Sequence, residues 1–222
     1  MTIAGQNMRI PPESATQNWE TVEAPSYRAF LETVPERGVV YDIGAHIGTY
    51  AVLGMKKAGP QGRSLAFEPH EYTRRLLERT IAWNNVEGQI LIRGCCCGAV
   101  SGMADFFGSP NEAVGVSGFM EIDGLERKTV AVTTIDEEVA HSGLIPDVIK
   151  IDVEGAEFDV LKGATNTLAT RRPCLVLSLH TEALAKQELS KETILKWLDL
   201  LGYESKIVDE DHEIHVVARA KR

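Results

Sequence analysis

The stretch Val39-Val40-Tyr41-Asp42-Ile43-Gly44-Ala45-His46-Ile47-Gly48-Thr49-Tyr50 constrains the fold of this chain more than any other. A short β-branched run enters a glycine turn, and the turn opens onto sequence with helical character, which is a strand-turn-helix unit. A glycine at 44 lets the backbone turn tightly and come close to a ligand, and Gly48 is expected to allow close helix–strand packing. Such a unit belongs to an open α/β sheet, where ligands gather at the carboxyl ends of the strands.

The rest of the chain supports that reading. From Gly38 onward, apolar runs alternate with amphipathic ones, the pattern of βα units on a mainly parallel sheet. Strands are expected at Val39–Ile43, Ser64–Phe67, Gln89–Arg93, Val148–Ile151 and Cys174–Leu179, with helices near Gly48–Ala58, Glu71–Asn84, Glu157–Leu161 and Lys191–Leu201. A final pair, Tyr203–Val208 and Glu213–Arg219, flanks the acidic turn Asp209–His212 and reads as an antiparallel hairpin closing the sheet. At 222 residues, with 44% hydrophobic and 25% charged residues, the chain has enough apolar sequence for one globular α/β domain.

Two segments break the rhythm. The first 25 residues are polar, carry Pro11, Pro12 and Pro25, and receive no core role; Ser26 is expected to cap a short helix that ends at Pro35 and Gly38. Residues 1–37 are thus an arm and helix ahead of a domain at 38–222. The glycine-rich segment Val100–Val132 fits no helical period and is expected to add strands and loops to the sheet edge, where it would contact an acceptor molecule.

A net charge of −9 disfavours nucleic acid and anionic membranes as partners. Cys95, Cys96, Cys97 and Cys174 are read as reduced thiols, because adjacent cysteines on a strand point to opposite faces. With no signal peptide and no apolar run long enough to span a bilayer, a cytoplasmic location is expected.

The glycine loop admits two ligand classes. A dinucleotide site wants a second glycine where His46 stands, so that a pyrophosphate can rest on the helix N-terminus. Asp42 would repel phosphate and attract an ammonium group, which suits S-adenosylmethionine. Glu68 ends the next strand in Phe67-Glu68-Pro69, twenty residues past Gly48, a spacing that suits hydrogen bonds from ribose hydroxyls. A second acidic group, Asp152, Glu154 and Glu157, surrounds Gly155 after an apolar strand that carries Lys150. These acids must face solvent, a substrate cation, a metal or a basic partner, and Glu157 alone fits an ordinary helix N-terminus.

Taken together, Asp42-Ile-Gly44-Ala45-His46-Ile-Gly48, Phe67-Glu68-Pro69, Thr134-Ile-Asp136, Lys150-Ile-Asp152-Val-Glu154-Gly-Ala-Glu157 and Leu161-Lys-Gly163-Ala164 resemble the FkbM-type methyltransferases. The resemblance implies a Rossmann-like class I methyltransferase sheet of seven strands, mainly parallel, with an antiparallel C-terminal hairpin. It implies S-adenosylmethionine as cofactor, held by Asp42, Gly44, Ala45, His46, Gly48, Glu68 and Pro69, with Cys96 beside the adenine, and a hydroxyl of a small molecule, sugar or natural product as acceptor. Asp152 and Glu154, with His180 behind them, are the candidate catalytic residues: Asp152 to take the acceptor's proton and attract the sulfonium, with Mg²⁺ ligation beside Glu182 as the rival role, and His180 as the next candidate for a general base. The chain departs from the family at His46, where Asn is common, and at the end of the fifth strand, where Leu177-Ser178-Leu179-His180 lacks a usual Glu. No metal is expected, since the sequence after that strand offers His180 and Thr181 but no Asp-Asn pair. The alternatives are a non-catalytic adenosyl-binding protein and a nicotinamide-dependent oxidoreductase.

Overall fold

The computed structural model describes residues 1–14, 18–108, 125–210 and 213–221. In chain order the elements are β1 (Thr2–Ile3), β2 (Gln6–Asn7), α1 (Ala24–Thr33), β3 (Val39–Ile43), α2 (Thr49–Ala58), β4 (Arg63–Phe67), α3 (Glu71–Trp83), β5 (Ile90–Arg93), β6 (Cys96–Cys97) and β7 (Gly102–Gly108). They continue with β8 (Glu126–Thr133), α4 (Ile135–Ser142), β9 (Val148–Ile151), α5 (Glu157–Lys162), α6 (Thr165–Thr170), β10 (Cys174–Leu179), α7 (Thr181–Ala185), α8 (Lys191–Leu200), β11 (Tyr203–Glu210) and β12 (Ile214–Ala220).

Seven strands form one sheet in the order β11-β12-β10-β9-β3-β4-β5, and β12 runs antiparallel to both of its neighbours while the other pairs are parallel. Alternate strand residues face opposite sides. Val40, Ala66, Val148, Val176 and Val217 pack with α1, α2 and α3, whereas Tyr41, Leu65, Ile149, Leu175 and Val216 pack with α4, α5, α6 and α8. Burial on both faces is why these strands read as continuous apolar runs.

The register sets up the site. Ile43 pairs with both Phe67 and Ile151, so the residues that follow them, Gly44, Glu68 and Asp152, emerge level at the carboxyl edge. On the other side Leu179 pairs antiparallel with Ile214, which brings Glu213 opposite His180, and Ser178 pairs with His215.

The structure corrects three expectations. Ile3, Met8 and Trp19 of the arm are buried in the same apolar cluster as α2, each contributing about 1.5–3 kcal/mol of burial, so the arm does have a core role. Asn84 fastens it by accepting from Arg9 N and donating to Arg9 O. Ser26 does not cap α1: the helix starts one turn earlier at an N-cap Glu23 with φ 50°, and Ser26 lies buried inside it. Finally, β7 and β8 form their own three-stranded sheet with β6 and do not extend the edge at β5. Between them Pro110, Gly115, Gly118 and Gly124 lie outside the described residues, as do Asp211 and His212 of the acidic turn.

Three short helices were not legible from the periodicity. Thr134 caps α4 by accepting from Glu137 N, and Asp136 accepts from Asn166 N and Thr167 N at the start of α6; α7 follows His180 directly. Among the described residues no helix is long and apolar enough to cross a membrane.

Candidate active site

On the side of β3 and β4 the site is built from main chain. Gly44, at φ +76°, turns so closely over β9 that a Cβ there would lie 1.8 Å from the carbonyl oxygen of Asp152. Gly44 N and Ala45 N both donate to Phe67 O, at 3.1 and 2.9 Å. The Glu68 carboxylate is 5% exposed and accepts from His46 N at 2.9 Å and His70 N at 2.8 Å. Burial pushes its pKa up to about 7 despite those two donors. Its two oxygens keep free lone pairs for further donors. Gly48 is glycine because Leu77 of α3 packs against it, 2.4 Å from where a Cβ would sit, so the close approach is between helices and not to a strand.

His46 adopts a left-handed φ of 49°, and its ring centroid lies 6.1 Å from that of Trp19 in the arm. Burial lowers its pKa to about 4, and its Nε2 is buried without a hydrogen-bond partner. Asp42 is wholly buried, and its carboxylate accepts from Ala51 N at 2.8 Å and lies 3.3 Å from Lys150 Nζ. The side chain expected to draw in a ligand ammonium instead anchors the start of α2. Cys96 is buried beside Val132 of β8, and burial, with Glu68 and Cys95 nearby, pushes its thiol well above the usual range. It is no nucleophile at neutral pH.

On the side of β9, β10 and β12 the site is built from charged side chains. Lys150 is 3% exposed; its Nζ donates to Gly44 O at 2.8 Å and lies 3.3 Å from Asp42 and 3.5 Å from Asp152. Burial opposes its charge, but Asp152, Asp42 and Glu23 together hold it protonated. Asp152 is treated likewise: burial alone would raise its pKa, and Lys150 and His180 hold it below the ordinary value.

His180 sits in a ring of carboxylates. Its Nδ1 is 2.8 Å from Glu157, and its Nε2 is 3.0 Å from Glu213, 3.4 Å from Glu154 and 3.7 Å from Asp152. Burial works against the imidazolium, but Glu157 and Glu213, then Asp152 and Glu154, raise its pKa to about 11. His180 is therefore a fixed cation at neutral pH and not the general base expected from sequence. Glu154, at a left-handed φ of 53°, has its pKa raised to about 7 by burial and by Asp152 and Glu213.

The structure thus brings Asp152, Glu154 and His180 together, and puts Gly44, Ala45, His46 and Glu68 around the neighbouring strand ends, with Pro69 following Glu68. Sequence reasoning missed Glu23, Glu213 and His215, and took Glu157 for a helix-start acid although it is fully buried and holds both His180 Nδ1 and Gly155 N. The one available signal was the antiparallel hairpin, whose register forces position 213 against position 180. Ligand-type atoms of Asp152, His180 and Glu213, and of Glu23, Glu213 and His215, lie within 4.8 Å of one another, a spacing that a divalent cation can span.

A model of the methyltransferase FkbM domain matches residues 42–205. The hexuronic acid methyltransferase AglP of Haloferax volcanii is 29% identical over 205 residues, spanning 86% of this chain and 81% of that protein. Methyltransferase sdnD of Sordaria araneosa is 28% identical over 163 residues, 60% of this chain and 62% of its own length. Among solved structures, an FkbM methyltransferase from Methylobacillus flagellatus superposes with TM-score 0.55 at 15% identity, covering 89% of this chain and 59% of that one. A precorrin-6y C5,15-methyltransferase from Geobacter metallireducens gives TM-score 0.56 at 12% identity, covering 97% and 95%, and both likenesses speak for the fold alone. With the family match spanning the glycine loop, Glu68, the acidic cluster and His180, the chain belongs to the FkbM methyltransferase domain family and carries the class I methyltransferase sheet.

Proposed function

We propose that the protein transfers a methyl group from S-adenosylmethionine to a hydroxyl of a small molecule, a sugar or natural product. The observation that carries this reading is Glu68: a buried carboxylate at a strand end, beside the glycine loop, with spare acceptor capacity that two ribose hydroxyls would fill. The loop also suits an adenosyl ligand without phosphate, because His46 stands at the sequence position where a dinucleotide loop needs a glycine. When bound, the cofactor supplies an electrophilic methyl group on a positively charged sulfur. The chain's own part is to position and exclude water. Lys150 ties Gly44 to Asp152 across the two sides of the site, and the carboxylates facing it hold His180 as a donor. The likeness to a hexuronic acid methyltransferase supports a sugar-like acceptor.

Calorimetry tests the reading directly. S-adenosylmethionine and S-adenosylhomocysteine should bind, and NAD and NADP should not; tight nicotinamide binding without adenosyl binding overturns it. Glu68→Ala should weaken adenosyl binding by about 1.5–3 kcal/mol. Methyl transfer that persists with a chelator present assigns Asp152 an electrostatic role, and loss restored by Mg²⁺ makes it a ligand.

A further inference from the structure

The N-terminal arm delivers one more acid to the reaction centre, and the FkbM match at residues 42–205 does not include it. Glu23 stands at the N-cap of α1 with φ 50°, a left-handed conformation that a residue with a Cβ rarely adopts. An acidic N-cap residue ordinarily spends its side chain on the helix's free N–H groups. Glu23 makes no such bond. Its carboxylate turns inward and accepts from Tyr50 Oη at 2.9 Å, while Tyr50 also meets Ser26 Oγ at 2.8 Å and carries Lys150 Nζ 5.0 Å from its ring centre. One carboxylate oxygen of Glu23 lies within 4.8 Å of ligand atoms of Glu213 and His215, and Glu213 in turn touches His180 at 3.0 Å. Glu23 is also half-buried, so a ligand can reach it.

We infer that Glu23 is a catalytic carboxylate of the methyl-transfer centre, supplied by the arm and facing the reacting sulfonium. The inference rests on the S-adenosylmethionine reading above. His180 already holds a proton and Asp152 is kept ionised between Lys150 and His180, while Glu154, whose pKa is raised like that of Glu23, faces the His180 cation at 3.4 Å. No cation stands at ion-pairing distance from Glu23 among the described residues, and burial, with Asp152 and Glu213 nearby, raises its pKa to about 7. In the step it serves, the acceptor oxygen forms a bond to the methyl carbon, the S–CH3 bond breaks with its electron pair passing to sulfur, and the hydroxyl proton goes to the Glu23 carboxylate. The products are the methyl ether, S-adenosylhomocysteine and a protonated Glu23, which loses its proton to solvent. No oxidant or reductant enters.

A carboxylate facing a sulfonium must discriminate the charged donor from its uncharged product. Calorimetric Kd values for S-adenosylmethionine and S-adenosylhomocysteine should therefore be measured on the full chain and on Glu23→Gln. The expected result is a loss of about tenfold in affinity for S-adenosylmethionine, with S-adenosylhomocysteine unchanged within about twofold. Glu23→Asp, which keeps the charge, should restore most of the preference. Glu13→Gln serves as the control for the arm, since it removes the 2.7 Å pair with Arg79 without touching the centre, and it should leave the ratio as it was. Equal loss of both ligands in Glu23→Gln would make Glu23 a structural anchor, and no change would place it away from the sulfur; either result overturns the inference. Failure of the unaltered protein to bind either ligand overturns the cofactor reading and this inference with it.

Discussion

Two histidines of the same site stand in opposite protonation states. His46, on the β3 loop, lies beside Trp19 with its Nε2 buried and unpartnered, and burial pulls its pKa down to about 4. His180, at the end of β10, is nearly as enclosed, but four carboxylates face it and its pKa rises to about 11. Residue type predicts neither state. On the β3–β4 side Glu68 is met by two backbone N–H groups, and Asp42 by the Ala51 N–H and by Lys150 reaching over from β9. On the β9–β12 side charge is met by charge. Under the function proposed above, the first arrangement is the cradle for the cofactor's polar edges, and the second holds ionised groups beside the methyl-transfer line.

Lys150 joins the two sides, and removing it is the strongest way to break the contrast. Lys150→Met leaves Asp42 buried beside only the Ala51 N–H and frees Gly44 from Asp152. The expected cost is about 3–5 kcal/mol of folding stability, the usual consequence of leaving one partner of a buried ion pair uncompensated. Urea unfolding with an unchanged m-value checks it, and a loss below about 1 kcal/mol would mean that the two sides are held together by other contacts.

Asp152→Asn probes the charged side alone. The amide keeps the shape but no longer balances Lys150 and His180, so the field at the reacting atoms changes. Turnover should fall about 10²–10³-fold with cofactor affinity changed far less, the size expected when a preorganised electrostatic contact is lost. If the cofactor Kd rises by the same factor as turnover falls, Asp152 belongs with the cradle, and the division between the two sides is drawn in the wrong place.

The difference in construction also explains what the sequence disclosed. The cradle is local: Gly44, His46 and Gly48 share one loop, and Glu68 follows at a spacing that a βα unit fixes, so periodicity and glycine placement were enough to find it. The charged side draws on residues 23, 150–157, 180 and 213–215, which only the strand order brings together. Lys150 was visible only as a basic partner available to the three acids that follow it. Glu23 was not, because nothing in a polar, proline-bearing arm shows that Ile3, Met8 and Trp19 will pin it against the sheet. The separate sheet of β6, β7 and β8 escaped for the same reason, since its pairing depends on where Cys96 and Cys97 turn after β5.

The smallest expected effect belongs to His46, and its sign separates it from His180. A histidine whose folded pKa lies near 4, against an ordinary 6.5, takes up its proton more readily in the unfolded chain. Its burial therefore has no pH-dependent cost above about pH 6.5, and stability is lost as pH falls from there toward 4. Between pH 7 and 6 this amounts to less than about 1 kcal/mol, because the unfolded histidine is only partly protonated over that range. His46→Asn should remove this acid limb while leaving the alkaline side as it was. His180 runs the other way: its contribution is fully present below about pH 6.5 and is lost as pH rises toward 11. Thermal unfolding across pH 5–9, with His46→Asn and His180→Gln each compared against the unaltered chain, reads both limbs. Should His46→Asn leave the acid limb untouched, the β3 histidine is charged in the folded protein, and the contrast between the two sides of the site fails at its simplest point.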